Sequence, residues 1–331
     1  MTQAIMRALW CRDFAPPASW PLADVPRPVP GPGEVLLRHH AAAIGFVDLL
    51  IGSGRYQVRP PLPFAPGSER AGEITALGEG VTGWHVGQRV IGWHFTGAFA
   101  EYGVLPAGAL TALPDGIAYE DAAGFHVNFG TAYHGLVDRG RARAGETLLV
   151  LGAAGAVGAA AVQVGKALGL RVIAAASTEA KRAHALALGA DATVDHTQAQ
   201  WRDALKAAVG PAGLDLVFDT VGGDPAEPAF RSLGWGGRHL VVGFAAGRIP
   251  ALPFNLALLK GADLVGVDFA RFSLHHQPEK ARANAEVLFE WLAAGRLSAA
   301  PGRVLPLADH AEALALVAER RAVGRIVLRL T

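Results

Sequence analysis

The chain has 331 residues, 51% of them hydrophobic, and carries 30 Lys and Arg against 29 Asp and Glu, a formal net charge of +1. That composition supports a substantial core and about two domains; it argues against a disordered chain, and no basic block or aromatic-interleaved stripe points to nucleic acid. The single cysteine, Cys11, excludes an intrachain disulfide and a cysteine-rich zinc site, and Met1 to Arg12 lacks the apolar core of a signal peptide, so a cytoplasmic protein is expected.

Residues 1–125 read as β-rich. Pro and Gly punctuate them at Pro26–Pro32, Pro60–Pro66 and Gly78–Gly87, with short alternating runs between, such as Val35–His39, Gly72–Leu77 and Arg89–Trp93. That cadence predicts a small, twisted, partly open barrel. From Ala118 the pattern turns helical, and Asn128 to His134 opens a further helix. From Thr147 strands and helices alternate. Strands are predicted at Leu148–Leu151, Val172–Ala176, Ala192–Val194, Leu214–Asp219, Arg238–Gly243 and Leu264–Val267. Helices are predicted at Glu179–Leu188, Ala199–Val209 and Pro225–Leu233. This order predicts a doubly wound parallel sheet of the Rossmann type. A helix over Pro278–Ala294, a strand near Arg303–Leu305, a helix over Ala308–Arg320 and a last strand, Gly324–Leu330, follow. Pairing of that last strand with the N-terminal β-region would make the first domain discontinuous. The division expected is 1–125 with 269–331 for the β-rich domain and 126–268 for the nucleotide-binding one.

The stretch Thr147–Gly158 organises the rest. An apolar strand turns through Gly152, Gly155 and Gly158 into the Ala-rich helical segment Ala159–Leu168. Glycines let the backbone approach a pyrophosphate, and a helix N-terminus offers free N–H groups and a positive dipole end. Gly152, Ala154, Gly155, Ala156 and Val157 are therefore the candidate pyrophosphate contacts. The uncharged run from Glu146 to Lys166 approaches membrane-span length, about 20 residues. Its four glycines and lack of aromatics fit a buried βα unit, and no membrane span is expected.

Six segments in this order resemble the medium-chain dehydrogenase/reductase superfamily, in its zinc-free quinone oxidoreductase branch. They are Phe46–Tyr56, Pro66–Gly72, Asn128–Tyr133, Gly152–Gly158, Gly189–Asp191 and Gly324–Leu328. The resemblance implies a GroES-like β-rich catalytic domain built from both chain ends, a Rossmann domain, a nicotinamide cofactor in the cleft between them, and a homodimer that pairs the last Rossmann strands. Zinc relatives carry a Cys three residues before an Asp and a His in a Gly-His-Glu turn. Here those positions are Gly45, before Asp48, and Ser68, before Glu69. Neither ligates zinc, so no metal is expected, and the twelve histidines read as core or surface residues.

The resemblance also bears on cofactor and substrate. The second Rossmann strand ends at Ser177 without the carboxylate that marks an NAD site. Lys181 follows, His196 stands where the branch often has a Tyr, and Arg321 stands where some relatives bring an Arg to the 2′-phosphate. Together these favour NADPH. Gly45, where quinone reductases carry Asn, and Thr131 line the nicotinamide end, with Val221, Phe244, Phe254 and Asn255 along the cofactor. Tyr56, Asp48 and Thr131 are the candidate catalytic residues; Asp48 reads equally as the cap of a helix starting at Leu49. The expected activity is direct hydride transfer from C4 of NADPH to a quinone or similar α,β-unsaturated carbonyl. An acyl-thioester enone, alkenal or haloacrylate is the alternative substrate. A crystallin-like or nucleic-acid-binding role is disfavoured by the even charge.

Overall fold

A computed structural model describes residues 4–331. Met1–Gln3, the start of the segment read for a leader and of the expected first domain, lie outside the described residues. The chain divides into two compact units. The first takes the residues up to His126 together with Ala299–Thr331, and the second is Val127–Ser298.

In the first unit, β1 (Ile5–Leu9) and β2 (Leu22–Pro26) form an antiparallel hairpin. The hub of the remainder is β3 (Glu34–Ile44), followed by β4 (Glu69–Leu77), β5 (Arg89–Trp93), β6 (Tyr102–Pro106) and β7 (Leu110–Ala112). β3 pairs antiparallel with β4 along its length and with β6 over Glu34–Arg38. Irregularities in register at Leu36/Leu37 and His39/Ala41 break its ladder to β4, and such bulges let one long strand serve two partners. Two close approaches require glycine. A Cβ on Gly52 would stand 2.2 Å from the Trp20 ring, and one on Gly67, at φ +93°, 2.4 Å from the Phe99 ring.

The second unit contains β8 (Thr147–Leu151), β9 (Arg171–Ala175), β10 (Ala192–Val194), β11 (Leu216–Asp219), β12 (Arg238–Val241) and β13 (Asp263–Gly266). All pair in parallel, in the order β10-β9-β8-β11-β12-β13. This is the doubly wound order of the Rossmann fold. The central β8 and β11 are buried throughout, which is why they read as unbroken apolar runs. Helix Trp201–Val209 buries Trp201, Leu205 and Val209, one residue per turn, in the core beneath the sheet.

The chain returns to the first unit later than expected. Residues 269–298 belong to the Rossmann unit, a correction to the predicted boundary at 269. The reason is a partly buried polar knot. Asp138 accepts from His134 at 2.9 Å and Asn284 at 2.9 Å and pairs with Lys280 at 2.8 Å. Tyr133 meets Trp291 edge-on, and His134 stacks on Phe272 at 3.8 Å. These contacts fasten helix Pro278–Ala293 to the Rossmann unit. His275 and His276 lie in a π-helical turn and face solvent. After Ser298, β14 (Arg303–Pro306) pairs in parallel with β15 (Ile326–Arg329), and β15 pairs antiparallel with β3, Ile326 opposite Ile44. Both chain ends thus share one core, in which Leu9, Trp20, Ile44 and Phe99 pack with Leu314, Ile326 and Leu328.

Candidate functional site

In the Rossmann unit the glycine turn closes tightly on itself. Gly152 has φ +75°, and a Cβ there would meet Thr220 Oγ1 at 2.5 Å and Val221 at 2.9 Å. A Cβ on Gly158 would stand 2.1 Å from the Gly152 carbonyl oxygen. Gly155 is the N-cap of helix Ala156–Ala167 and is exposed, and no side chain caps that helix. The first-turn N–H groups are therefore left for an anionic guest. Ala154 is buried beneath the turn, whereas Ala156 and Val157 are half-buried.

The facing rim comes from the ends of β11 and β12. Thr220 donates to the Leu151 carbonyl at 2.9 Å, tying β11 to β8. Asp219 accepts the N–H groups of Val221 (2.9 Å) and Gly222 (2.8 Å) on one oxygen and meets His239 Nε2 at 3.1 Å with the other. That carboxylate shapes the bend on which Val221 stands. A Cβ on Gly222 would strike the Phe244 ring at 2.8 Å, so Phe244 lies directly over the bend. The structure thus brings Gly152, Val221 and Phe244 together. Asp219, Thr220 and His239 were not singled out from sequence; an Asp ending a buried apolar strand was the available signal. Phe254 and Asn255 are exposed at the start of the helix before β13.

Ser177 and His196 stand at the ends of the adjacent strands β9 and β10, joined there by the Ala176 N–H to Val194 carbonyl bond at 3.1 Å. Thr178 caps the next helix by accepting the Lys181 amide at 3.3 Å. Arg182, also missed from sequence, donates to the Ala176 carbonyl and pairs with Asp195, both at 3.1 Å. His196 is half-buried and its Nδ1 makes no hydrogen bond. Burial pulls its pKa below the usual histidine value; Asp195 and Asp219 oppose this, and Lys181 and Arg182 reinforce it. Thr131 is buried on helix Phe125–Tyr133, one residue from Gly130, where the Phe269 ring packs against the helix backbone.

Gly45, Asp48, Tyr56 and Arg321 belong to the first unit. Helix Phe46–Gly52 starts at Phe46, not at Leu49 as one reading had it. Asp48, within its first turn, reaches back to accept the Gly45 N–H at 2.7 Å, so it caps the helix from inside. Asp48 is buried, which pushes its carboxyl up to about 6, against the pull of Ser68, the Gly45 N–H and Arg70. The space where Gly45 would carry a side chain faces Asp48, 3.3 Å from Oδ2. Tyr56 is half-buried and tilted against Phe95, centroids 6.5 Å apart, and Phe95 sits edge-on to Trp93 at 5.3 Å. Arg321 pairs with Glu319 at 2.7 Å on the surface.

Arg70, inside the Pro66–Gly72 segment, was overlooked. It is wholly buried, and its Nη2 donates to the carbonyls of Ser68 (3.0 Å), Thr96 (2.8 Å) and His94 (3.4 Å). It thereby ties the start of β4 to the loop that carries Phe95. Burial brings the guanidinium down to about 9, with Asp48 and Glu69 pulling the other way. Among the described residues, no group of three or more His, Cys, Asp or Glu side chains is placed to hold a metal ion.

Residues 31–115 match the alcohol dehydrogenase GroES-like domain family, and residues 156–286 match the family described as zinc-binding dehydrogenase. The quinone oxidoreductase-like protein 2 of Mus musculus is 35% identical over 98% of this chain and 92% of its own. A mycobacterial structure described as complexed with NADPH superposes with a TM-score of 0.91 at 30% identity, covering 98% of this chain and all of that one. The chain belongs to the medium-chain dehydrogenase/reductase superfamily, among its quinone oxidoreductase-like proteins. As a member it is an oxidoreductase that works on a small molecule with a nicotinamide cofactor, and the glycine cradle with its uncapped helix suits the pyrophosphate of such a cofactor. A Pseudomonas syringae quinone oxidoreductase superposes with a TM-score of 0.89 at 29% identity, covering 98% of this chain and all of that one. No helix among the described residues is long and apolar enough to cross a membrane.

Proposed function

We propose that the protein is a zinc-independent NADPH:quinone oxidoreductase. The observation that carries this reading is the end of β9, which has no carboxylate and presents Ser177, with Lys181 on the next helix and His196 at the end of β10. A carboxylate at that place accepts from ribose hydroxyls and repels a 2′-phosphate; a lysine without it favours the phosphate. The mycobacterial relative's bound NADPH supports the same choice, and the mouse and Pseudomonas relatives' names support a quinone as the acceptor. Zinc independence rests on Gly45 and Ser68, neither a zinc ligand. Arg70 adds to it, since a buried guanidinium beside Asp48 and Glu69 already places a cation there.

The bound nicotinamide supplies the hydride. The Gly152–Gly158 turn and its helix hold the pyrophosphate, and Thr131 touches the nicotinamide end. A quinone ring is electrophilic and its reduced anion is delocalised, so no strong acid is needed. Tyr56 donates a hydrogen bond to the oxygen that gains charge. Asp48, its carboxyl turned to the Gly45 N–H, is a positioning residue: it sets the start of the helix that leads to Tyr56.

The test is oxidation of NADPH and NADH across quinones, enones, enals and enoyl thioesters, by wild type and Lys181→Ala. The variant should raise KM for NADPH about 10-fold, the loss of one charge-assisted contact, with little change for NADH. Equal loss with both cofactors, or no turnover of any quinone, overturns the proposal.

The same reading includes a homodimer formed through the outer edge of β13. Trp235 (86% exposed), Leu258 (80%), Leu259 (71%) and Leu264 (52%) lie on or beside that edge strand. Unpaired edges and apolar patches of this kind mark association surfaces. Light scattering should give twice the chain mass, and a monomer at micromolar concentration refutes it.

A further inference from the structure

The loop from β5 to β6 is held at its tip by a buried cation. His94, Phe95 and Thr96 form that tip. Backbone bonds fix it on either side: the His94 N–H donates to the Ser68 carbonyl at 3.0 Å, and the Gly97 N–H to the Ala65 carbonyl at 2.7 Å. Between these anchors the carbonyls of His94 and Thr96 turn inward to Arg70 Nη2, at 3.4 and 2.8 Å. The guanidinium also packs against the loop backbone, since a Cβ on Gly97, at φ +95°, would stand 3.2 Å from Nη1. Burying a guanidinium is costly unless its surroundings compensate. Here Asp48 and Glu69 supply the opposite charge, and the carbonyls of Ser68, His94 and Thr96 the hydrogen bonds. An apolar side chain would fill the same space without that cost. What the cation adds is direction: it fixes which way the tip faces. The tip carries Phe95, whose half-buried ring meets Trp93 edge-on at 5.3 Å and leans on Tyr56 at 6.5 Å. Tyr56 itself lies outside any helix or strand, so its aim is set by the side chains packed on it, Phe95 among them.

This inference rests on the reading of Tyr56 as the hydrogen-bond donor. We propose that Arg70 is a positioning residue for Tyr56 and acts through Phe95: by holding the tip of the β5–β6 loop it keeps the Phe95 ring in place, and with it the Tyr56 hydroxyl on the acceptor oxygen. Asp48 fixes the start of the helix from which Tyr56 departs, and Arg70 fixes the ring on which Tyr56 rests. A hydrogen bond weakens steeply once its geometry is lost, so loosening the tip costs what deleting the hydroxyl costs. Arg70 needs no contact with cofactor or acceptor to do this.

NADPH-dependent quinone reduction would be measured for Arg70→Met, Arg70→Lys and Phe95→Leu, each with Tyr56 intact and with Tyr56→Phe. With Tyr56 intact, Arg70→Met and Phe95→Leu should each lower kcat/KM for quinone about 5- to 10-fold, the cost of one modest hydrogen bond. In the Tyr56→Phe background neither should lower it further, the non-additivity of residues that act through one group. Arg70→Lys, whose ammonium can donate to the same three carbonyls, should stay within about 2-fold of wild type. NADPH dissociation constants should not change, which reports that the variants are folded. Ring NMR signals of the four tyrosines need neither cofactor nor acceptor, and Tyr56→Phe assigns the one that matters. That signal should move in Arg70→Met as it does in Phe95→Leu, and stay in Arg70→Lys. Losses that persist in the Tyr56→Phe background, or a Tyr56 signal that Arg70→Met leaves in place, overturn the proposal while the NADPH:quinone reading stands. Should Arg70→Met not fold, an additive loss from Phe95→Leu, or a Tyr56 signal moved as far by Arg70→Lys as by Phe95→Leu, overturns it. If Tyr56→Phe alone costs nothing, the donor assignment falls and this inference with it.

Discussion

At the glycine turn, three glycines within seven residues set the environment largely with backbone, and the Asp219 carboxylate is spent on two backbone N–H groups and on His239. Around Asp48 the means are reversed. A buried carboxyl and a buried guanidinium, brought from helix Phe46–Gly52 and strand β4, shape the region with charge, and carbonyls of a third segment, His94 to Thr96, complete it. The first region is local, neutral and sterically exact in what it admits; the second is long-range and titratable. Substitutions should therefore act through shape in one and through protons in the other.

The largest effect is expected from shape. Gly158→Ala drives a Cβ to 2.1 Å from a backbone oxygen that cannot swing away. The turn must shift, and NADPH should bind at least about 100-fold more weakly, the scale of a misplacement near 1 Å. At Gly155 an added Cβ meets nothing closer than 3.4 Å, and φ is −76°. Gly155→Ala should therefore unfold at nearly the wild-type temperature. Comparable destabilisation by both variants would break the steric account.

The Asp48 region should answer to pH instead. A carboxyl raised to about 6 by burial keeps its proton where the unfolded chain has lost it. Between its ordinary value and about 6 the folded state binds more protons, so this group's contribution to stability falls as pH rises. His39 and His126, pushed down to about 3 and about 4 by burial, act in the opposite sense and lose stability as pH falls. They are common to both proteins when wild type is compared with Asp48→Asn. Relative to that variant, wild type should lose on the order of 3 kcal/mol between about pH 4 and pH 7. Urea unfolding at the two pH values checks this, and a pH-independent difference would show that Asp48 is ionised throughout.

The smallest effect sharpens the catalytic side of the comparison. Tyr56→Phe should lower kcat/KM for quinone about 10-fold, the cost of one modest hydrogen bond, without abolishing turnover. A loss beyond about 10⁴-fold would instead mark an obligate acid.

What could be read in advance follows the same division. The glycine turn, β8, β11 and the order of the parallel strands were legible, because positive φ, buried apolar runs and helical periodicity are written in neighbouring residues. Ser177, Lys181 and His196 were proposed from the family resemblance, which assigns them places at the ends of the second and third Rossmann strands. Arg70 lay in plain view inside a quoted motif and was passed over, since its role depends on carbonyls at Ser68, His94 and Thr96 that only folding assembles. Asp48 was weighed as a cap, but the helix it caps begins three residues earlier. The boundary at 269 failed for a related reason: helix Pro278–Ala293 is held by Asp138, more than a hundred residues away in sequence.

The sequence by itself determined the two-domain class, the Rossmann turn, the unsuitability of Gly45 and Ser68 as zinc ligands, and the missing carboxylate after β9. Each depends on which side chain is present or on short-range backbone preference. Only the tertiary structure decided which unit claims residues 269–298, that β15 closes on β3, and that Asp48 and Arg70 are buried together. Burial and electrostatic coupling are properties of surroundings, and those surroundings are drawn from segments that are remote along the chain.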